Sequence, residues 1–97
     1  MHNFGEHIKQ LREQRTLLQR QVASILDTAY ISKFEKGEKR ATREQVLKLA
    51  DFFKVSKDDL LSRWLSEKIY EILKNEKVAK KALKIAQKKL NIIKINK

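Results

Sequence analysis

Cysteine and proline are both missing from this 97-residue chain, and glycine occurs only twice, at Gly5 and Gly37. Without cysteine there is no disulfide and no thiolate metal site. Without proline, and with glycine so scarce, little in the chain interior opposes helix formation. No apolar run approaches the ~20 residues that a membrane span needs. The opening stretch, MHNFGEHIKQ, lacks the apolar centre of a signal peptide. The expectation is a cytoplasmic protein with no membrane association. Catalytic groupings are missing too. His2 and His7 have no companions at metal-ligand spacing, so no metal is expected. Serines 24, 32, 56, 62 and 66 fall at caps and helix faces with no nearby base. There is no glycine-rich phosphate loop. Neither an enzyme nor a bound cofactor is expected.

Lys, Leu, Ile, Ala, Glu and Gln dominate instead, and all but Ile are strong helix formers. The expected fold class is all-α. The length suits one small domain with an appendage. A domain of this size buries only about 60–65% of its unfolded surface, which leaves it modestly stable unless it dimerises. The net charge is +11 and the pI about 10.0, which points to a polyanionic partner. Its distribution is uneven. Residues 1–73 hold 14 Lys/Arg against 11 Asp/Glu, a net +3, whereas residues 74–97 hold nine Lys against one Glu, a net +8.

Apolar residues recur at helical spacing along the whole chain. Phe4, Ile8 and Leu11, then Leu17/Leu18, mark a first helix over about 4–15. Leu18, Val22, Ile25 and Leu26 mark a second over about 18–26. Asp27 or Thr28 supplies a cap for a third, which runs to Lys36 with Ile31 and Phe34 inward and Gly37 as a left-handed terminator. Thr42-Arg-Glu-Gln45 is a capping box that opens a fourth helix over 43–53, with Val46, Leu47, Leu49, Ala50 and Phe53 inward. Ser56-Lys-Asp-Asp59 opens a fifth, containing Leu60 and Leu61. Beyond it the stripe continues through Trp64, Leu65, Ile69, Ile72 and Leu73. Asn75 is a break, and a last stripe follows through Val78, Ala82, Leu83, Ala86, Leu90 and Ile93.

Gln19-Arg-Gln-Val22-Ala23, Ile31-Ser32 with Glu35 and Gly37, Lys39-Arg40, and the stretch REQVLKLADFFKVSKDDLL together resemble the Cro/lambda-repressor-like helix-turn-helix family, also called Xre-like regulators. The resemblance covers residues 4–61, about three fifths of the chain. It implies a five-helix DNA-binding domain over 1–61, followed by a helical extension over 62–97. One departure stands out. Ala23 to Ile31 spans eight positions, two fewer than the family's spacing. Either the second helix ends near Ala23, with Ser24 and Ile25 turning and Leu26 filling the apolar position, or the turn tightens at Asp27-Thr28 and the third helix starts at Ala29. The second keeps Val22 and Ala23 in register.

A helix reads base edges in the major groove from residues near its N-terminus. With Ile31 and Phe34 inward, the base-contacting positions would be Thr28, Ala29, Tyr30 and Lys33. Lys33 suits guanine O6/N7, and Ala29 suits a thymine methyl. The bland reading of Tyr30 is a ring packed on a neighbour. Lys36, Lys39, Arg40 and Arg43 would hold phosphates, which sets register without reading sequence. The resemblance adds Gln19 as a phosphate ligand, with Arg20 beside it. It also implies a structural ion pair between Arg12 and Glu35, joining the first helix to the third. In the extension, Trp64, Leu65, Ile69, Ile72, Leu73, Leu83, Ala86, Leu90 and Ile93 would form a homodimer interface. Its lysine face could instead hold DNA phosphates or lie on a membrane, although the alanine-rich stripe, without aromatics after Tyr70, disfavours a membrane. The function expected is a dimeric, sequence-specific transcriptional regulator, a repressor or controller at a near-palindromic operator on double-stranded DNA. Related small regulators often accompany restriction–modification genes. Two alternatives stand beside it: an antitoxin-like protein whose residues 62–97 bind a partner protein, and a nonspecific nucleic-acid binder.

Overall fold

The structure, a computed structural model, describes residues 3–22 and 28–95. Among these it has helices and no strand, as expected of an all-α chain: α1 (Phe4–Gln14), α2 (Gln19–Val22), α3 (Thr28–Glu35), α4 (Arg43–Phe53), α5 (Lys57–Leu73) and α6 (Ala79–Ile95). The chain divides into two compact units, residues 3–67 and residues 68–95.

The starts of these helices are set by short polar side chains. Asn3 accepts from the backbone N–H of Glu6 at 2.8 Å and opens α1. Thr42 and Gln45 form the capping box of α4, with reciprocal bonds of 3.2 and 2.9 Å. Ser56 accepts from Asp59 N–H at 3.1 Å and opens α5. Each bond satisfies a donor that the helix itself leaves unpaired.

Three helices end in the same way. A residue in the left-handed region reverses the chain, and its own N–H and that of the next residue fold back onto the last turn. After α3 that residue is Gly37 (φ 83°), with Gly37 N–H to Phe34 O at 3.0 Å and Glu38 N–H to Lys33 O at 2.9 Å. After α4 it is Lys54 (φ 56°), with Val55 N–H on Ala50 O. After α1 it is Thr16 (φ 53°), with Leu17 N–H on the Arg12 carbonyl.

In the first unit, Phe4 and Ile8 of α1, Val22 of α2, Ile31 and Phe34 of α3, Val46, Leu49, Ala50 and Phe53 of α4, and Leu60 of α5 bury one core, joined by Ala41. Burial of this apolar surface is the main stabilising term. The expected inward residues are largely those found. Leu18 departs, being 52% exposed, while its neighbour Leu17 packs on the core. Gly5 is buried where α1 crosses α3, and a Cβ there would stand 2.1 Å from the Phe34 carbonyl oxygen. The connection over residues 23–27, where the shortened turn and the far end of the second helix fall, lies outside the described residues.

Helix α5 runs unbroken across residue 61, where the sequence suggested a boundary. Trp64 packs on the core of the first unit, and its indole N–H donates to the Ala41 carbonyl at 3.0 Å. Glu67 accepts from the Phe4 N–H at 2.8 Å, at the start of α1. Trp64, expected on the dimer face, is therefore half-buried against the core of the first unit. The reason is polar as well as apolar, because an indole turned onto the protein needs an acceptor for its N–H and Ala41 offers one.

The second unit is the end of α5, a turn at Lys74–Asn75 and α6. Ile69, Ile72 and Leu73 face Ala82, Leu83, Ala86 and Leu90 across an apolar groove of about 500 Å³.

Candidate nucleic-acid interface

Helix α3 is held from beneath by two fully buried side chains, Ile31 and Phe34. That fixes which of its residues face out. Lys33 is exposed and Ser32 is half-buried. Thr28 and Ala29 form the first turn, and their side chains lie outside the described part.

Tyr30 lies differently from the outward position expected of it. Its ring stacks on Phe34, one turn along the helix, at 6.3 Å and 19°. Its hydroxyl donates to the Arg40 carbonyl. Tyr30 thus packs on a neighbour and ties the loop after α3 back onto the helix.

That loop and the start of α4 carry the charge. Lys36, Lys39, Arg40 and Arg43 are all exposed, as is Lys33 on the adjacent turn. Residues 33–43 contain only two acids, Glu35 and Glu38, and Glu35 is buried in an ion pair. Gly37 makes the reversal that brings this run beside α3. Its left-handed backbone is open to glycine, and a Cβ would press on Asn3 Nδ2 at 3.1 Å. Arg20, on α2, is also exposed.

Behind the surface, Arg12 and Glu35 meet in the bidentate pair that the sequence suggested. Arg12 Nε donates to Glu35 Oε2 at 2.7 Å and Nη2 to Oε1 at 3.1 Å. Its third donor, Nη1, reaches the Leu17 carbonyl at 2.8 Å. The two side chains are 11% and 3% exposed, so the pair is desolvated and cannot be traded for water. The hydrogen bond to Glu35 is the main reason the Arg12 pKa is raised, against the opposing effect of burial.

Gln19 joins this network. Its amide Nε2 donates to Glu35 Oε1 at 2.9 Å. One of its two amide hydrogens is therefore turned inward, away from the phosphate role that the resemblance implied, and one remains. Arg15 does a similar structural task at the end of α1, donating to the Phe53 carbonyl at 3.0 Å with its guanidinium 5.5 Å from the Phe53 ring centre.

The structure thus brings Lys33, Lys36, Lys39, Arg40 and Arg43 onto one stretch beside α3, and draws Tyr30 and Gln19 partly into the scaffold. Sequence reasoning missed Gly5, Arg15, Glu67 and the Trp64–Ala41 bond. It also missed the Asn3 cap of α1, where the spacing Asn3-x-x-Glu6 was a local signal. Among the described residues, no group of three His, Cys, Asp or Glu could hold a metal ion, and no helix is long and apolar enough to cross a membrane.

A helix-turn-helix family model matches residues 8–60, more than half of the chain and most of the first unit. No curated protein and no solved structure matches the chain. With two buried anchors under α3, a basic run beside it and this match over the same residues, the chain belongs to the Cro/C1-type, Xre-like helix-turn-helix family of DNA-binding transcription regulators.

Proposed function

We propose that this regulator reads a specific, near-palindromic operator as a dimer in the cytoplasm, acting as a repressor or controller. The observation that carries the reading is the exposed Lys33 on a helix whose other face is locked into the core, with Lys36, Lys39, Arg40 and Arg43 exposed just after it. A rigid helix offering one long cation toward a groove, flanked by cations at backbone height, suits major-groove reading with phosphate contacts on its edge. Thr28 and Ala29, at the N-terminal turn of α3, complete the base-reading set. Tyr30 contributes by holding the Arg40 loop in place.

Two copies reading one turn of DNA apart need their reading helices ~34–36 Å apart, so something must join them. Of the ten large apolar residues exposed among the described residues, nine lie between Leu65 and Ile92. That concentration supports residues 65–93 as the dimer contact, with Leu65, Ile69, Ile72, Leu73, Leu83, Ala86 and Leu90 in it. Ile93, assigned to the same face, has its side chain outside the described part.

Selection of bound sequences from random duplex DNA tests the reading. A palindromic motif is the expected result, and recovery of unselected sequence overturns it. Lys33→Ala should then cost about 1–3 kcal/mol at the selected site and relax preference at one base pair per half-site. Lys39→Ala or Arg40→Ala should weaken binding to every duplex alike, with the salt slope smaller by about one.

A further inference from the structure

Helix α6 carries lysine and no acid along its whole length. In the first unit, two helical surface cations are answered by an acid one turn away: Lys48 by Glu44 at 3.4 Å, and Arg63 by Asp59 at 3.3 Å. Residues 79–95 contain no acid at all. Lys80, Lys81, Lys84 and Lys88 fall within an arc of about 100° around the helix. All four are exposed, and none pairs with a carboxylate of the described residues. Lys80 faces Lys84 and Lys84 faces Lys88 at the four-residue spacing where like charges repel. Lys80 and Lys81 also sit in the first turn, where the helix dipole already presents positive charge. Glu76, just before the helix, is the one acid in residues 74–97.

This face is not needed for packing. The apolar α6 residues that line the groove against α5 are Ala82, Leu83, Ala86 and Leu90, on the other side of the helix. A cationic face of this kind suits a polyanion, whose charges would relieve the repulsion within it. No aromatic residue occurs in α6, which disfavours a lipid surface. DNA is the polyanion that the first unit already holds. A lysine face linked to that unit meets the duplex at high effective concentration.

We infer that Lys80, Lys81, Lys84 and Lys88 form a second, sequence-independent site for DNA phosphates, separate from the α3–α4 surface. The inference rests on the first unit being a DNA reader. The basic excess explains itself on this view: residues 1–73 bring the reading helix with a net +3, and residues 74–97 bring a net +8 of backbone affinity.

The test uses the full chain and a variant with Lys→Gln at positions 80, 81, 84 and 88. Each is titrated with a mixed-sequence duplex, and with the duplex selected for wild type, across rising KCl. The slope of log affinity against log salt should become shallower by up to about 3.6, since each lost phosphate contact contributes about 0.9. Affinity should fall by the same factor for both duplexes, leaving the specificity ratio unchanged. Thermal stability should hold or rise, because repulsion within α6 is relieved. Lys→Arg at the same positions should restore the slope, and Lys84→Gln alone should remove about 0.9 of it. An unchanged slope in both Gln variants overturns the second site and leaves the reading helix standing. Binding of the wild type to phosphatidylserine vesicles would then identify lipid as the anion. A wild type with no preference between the two duplexes instead fails the specific-reader assignment, whatever the slope does.

Discussion

Glu35 is the one charged side chain buried within the core of the first unit among the described residues, and it lies on the helix assigned to DNA. It tolerates burial because three donors converge on it, two from Arg12 and one from Gln19. Removing Arg12 leaves a desolvated carboxylate with a single amide partner. Arg12→Ala should therefore destabilise the fold by about 3 kcal/mol in urea unfolding. Replacing both partners with Met should recover most of that loss, because no charge is then stranded. A double variant as unstable as the single one would show that packing, not charge, sets the effect. The sign of the pH dependence follows from the raised Arg12 pKa. The contribution is complete at neutral pH and is lost only as pH climbs through the arginine range. At this scale the Arg12–Glu35 pair was legible from the family pattern. The inward turn of Gln19 was not, because its sequence position does not say which of its partners is nearer.

At the scale of elements, α1 and α3 meet where Gly5 lies under the Phe34 carbonyl, and Phe4 meets Phe34 edge-on at 5.8 Å and 71°. Gly5 is a helix residue, so Ala there would ordinarily favour the helix by up to about 1 kcal/mol. Here the added methyl meets backbone, which cannot swing aside as a side chain would. Gly5→Ala should destabilise by about 2–3 kcal/mol, read from thermal melts, and should weaken DNA binding by shifting α3. A neutral or stabilising result would show that α1 can move away from α3 freely. The left-handed terminators make a related point. Gly37 was readable because glycine is the residue that favours that backbone. Thr16 and Lys54 serve the same purpose with a Cβ present, and nothing in their identity announces it.

For the whole molecule, the question is what covers the apolar residues of the second unit. Two helices alone give each other only one buried side. Leu83 is 47% and Leu90 62% exposed on that groove. Leu83→Glu with Leu90→Glu in the full chain should convert a dimer to a monomer by sedimentation and greatly reduce affinity for a two-half-site operator, with binding to a single half-site little changed. A dimer that survives both changes moves the contact elsewhere, and a wild type that is monomeric at tens of micromolar leaves the groove for another protein. The lysine changes tested above should leave this association intact, since those side chains lie on the other side of α6.

The spacing of Phe4, Ile8, Ile31, Phe34, Val46, Leu49, Ala50, Phe53 and Leu60 was enough to determine the all-α class, the inward faces and most of the helix bounds, because helical period and capping chemistry act over a few residues. Thr42 and Gln45 even marked the start of α4. The basic run after Gly37 was legible for the same local reason. What the tertiary structure alone decided are contacts between residues far apart in the chain: Trp64 with Ala41, Glu67 with the start of α1, Tyr30 with the loop at Arg40, and Gly5 beneath Phe34. Each depends on how close two helices come and on which polar group is left in need of a partner once they do. Those distances are set by the whole core at once, and no stretch of sequence carries them.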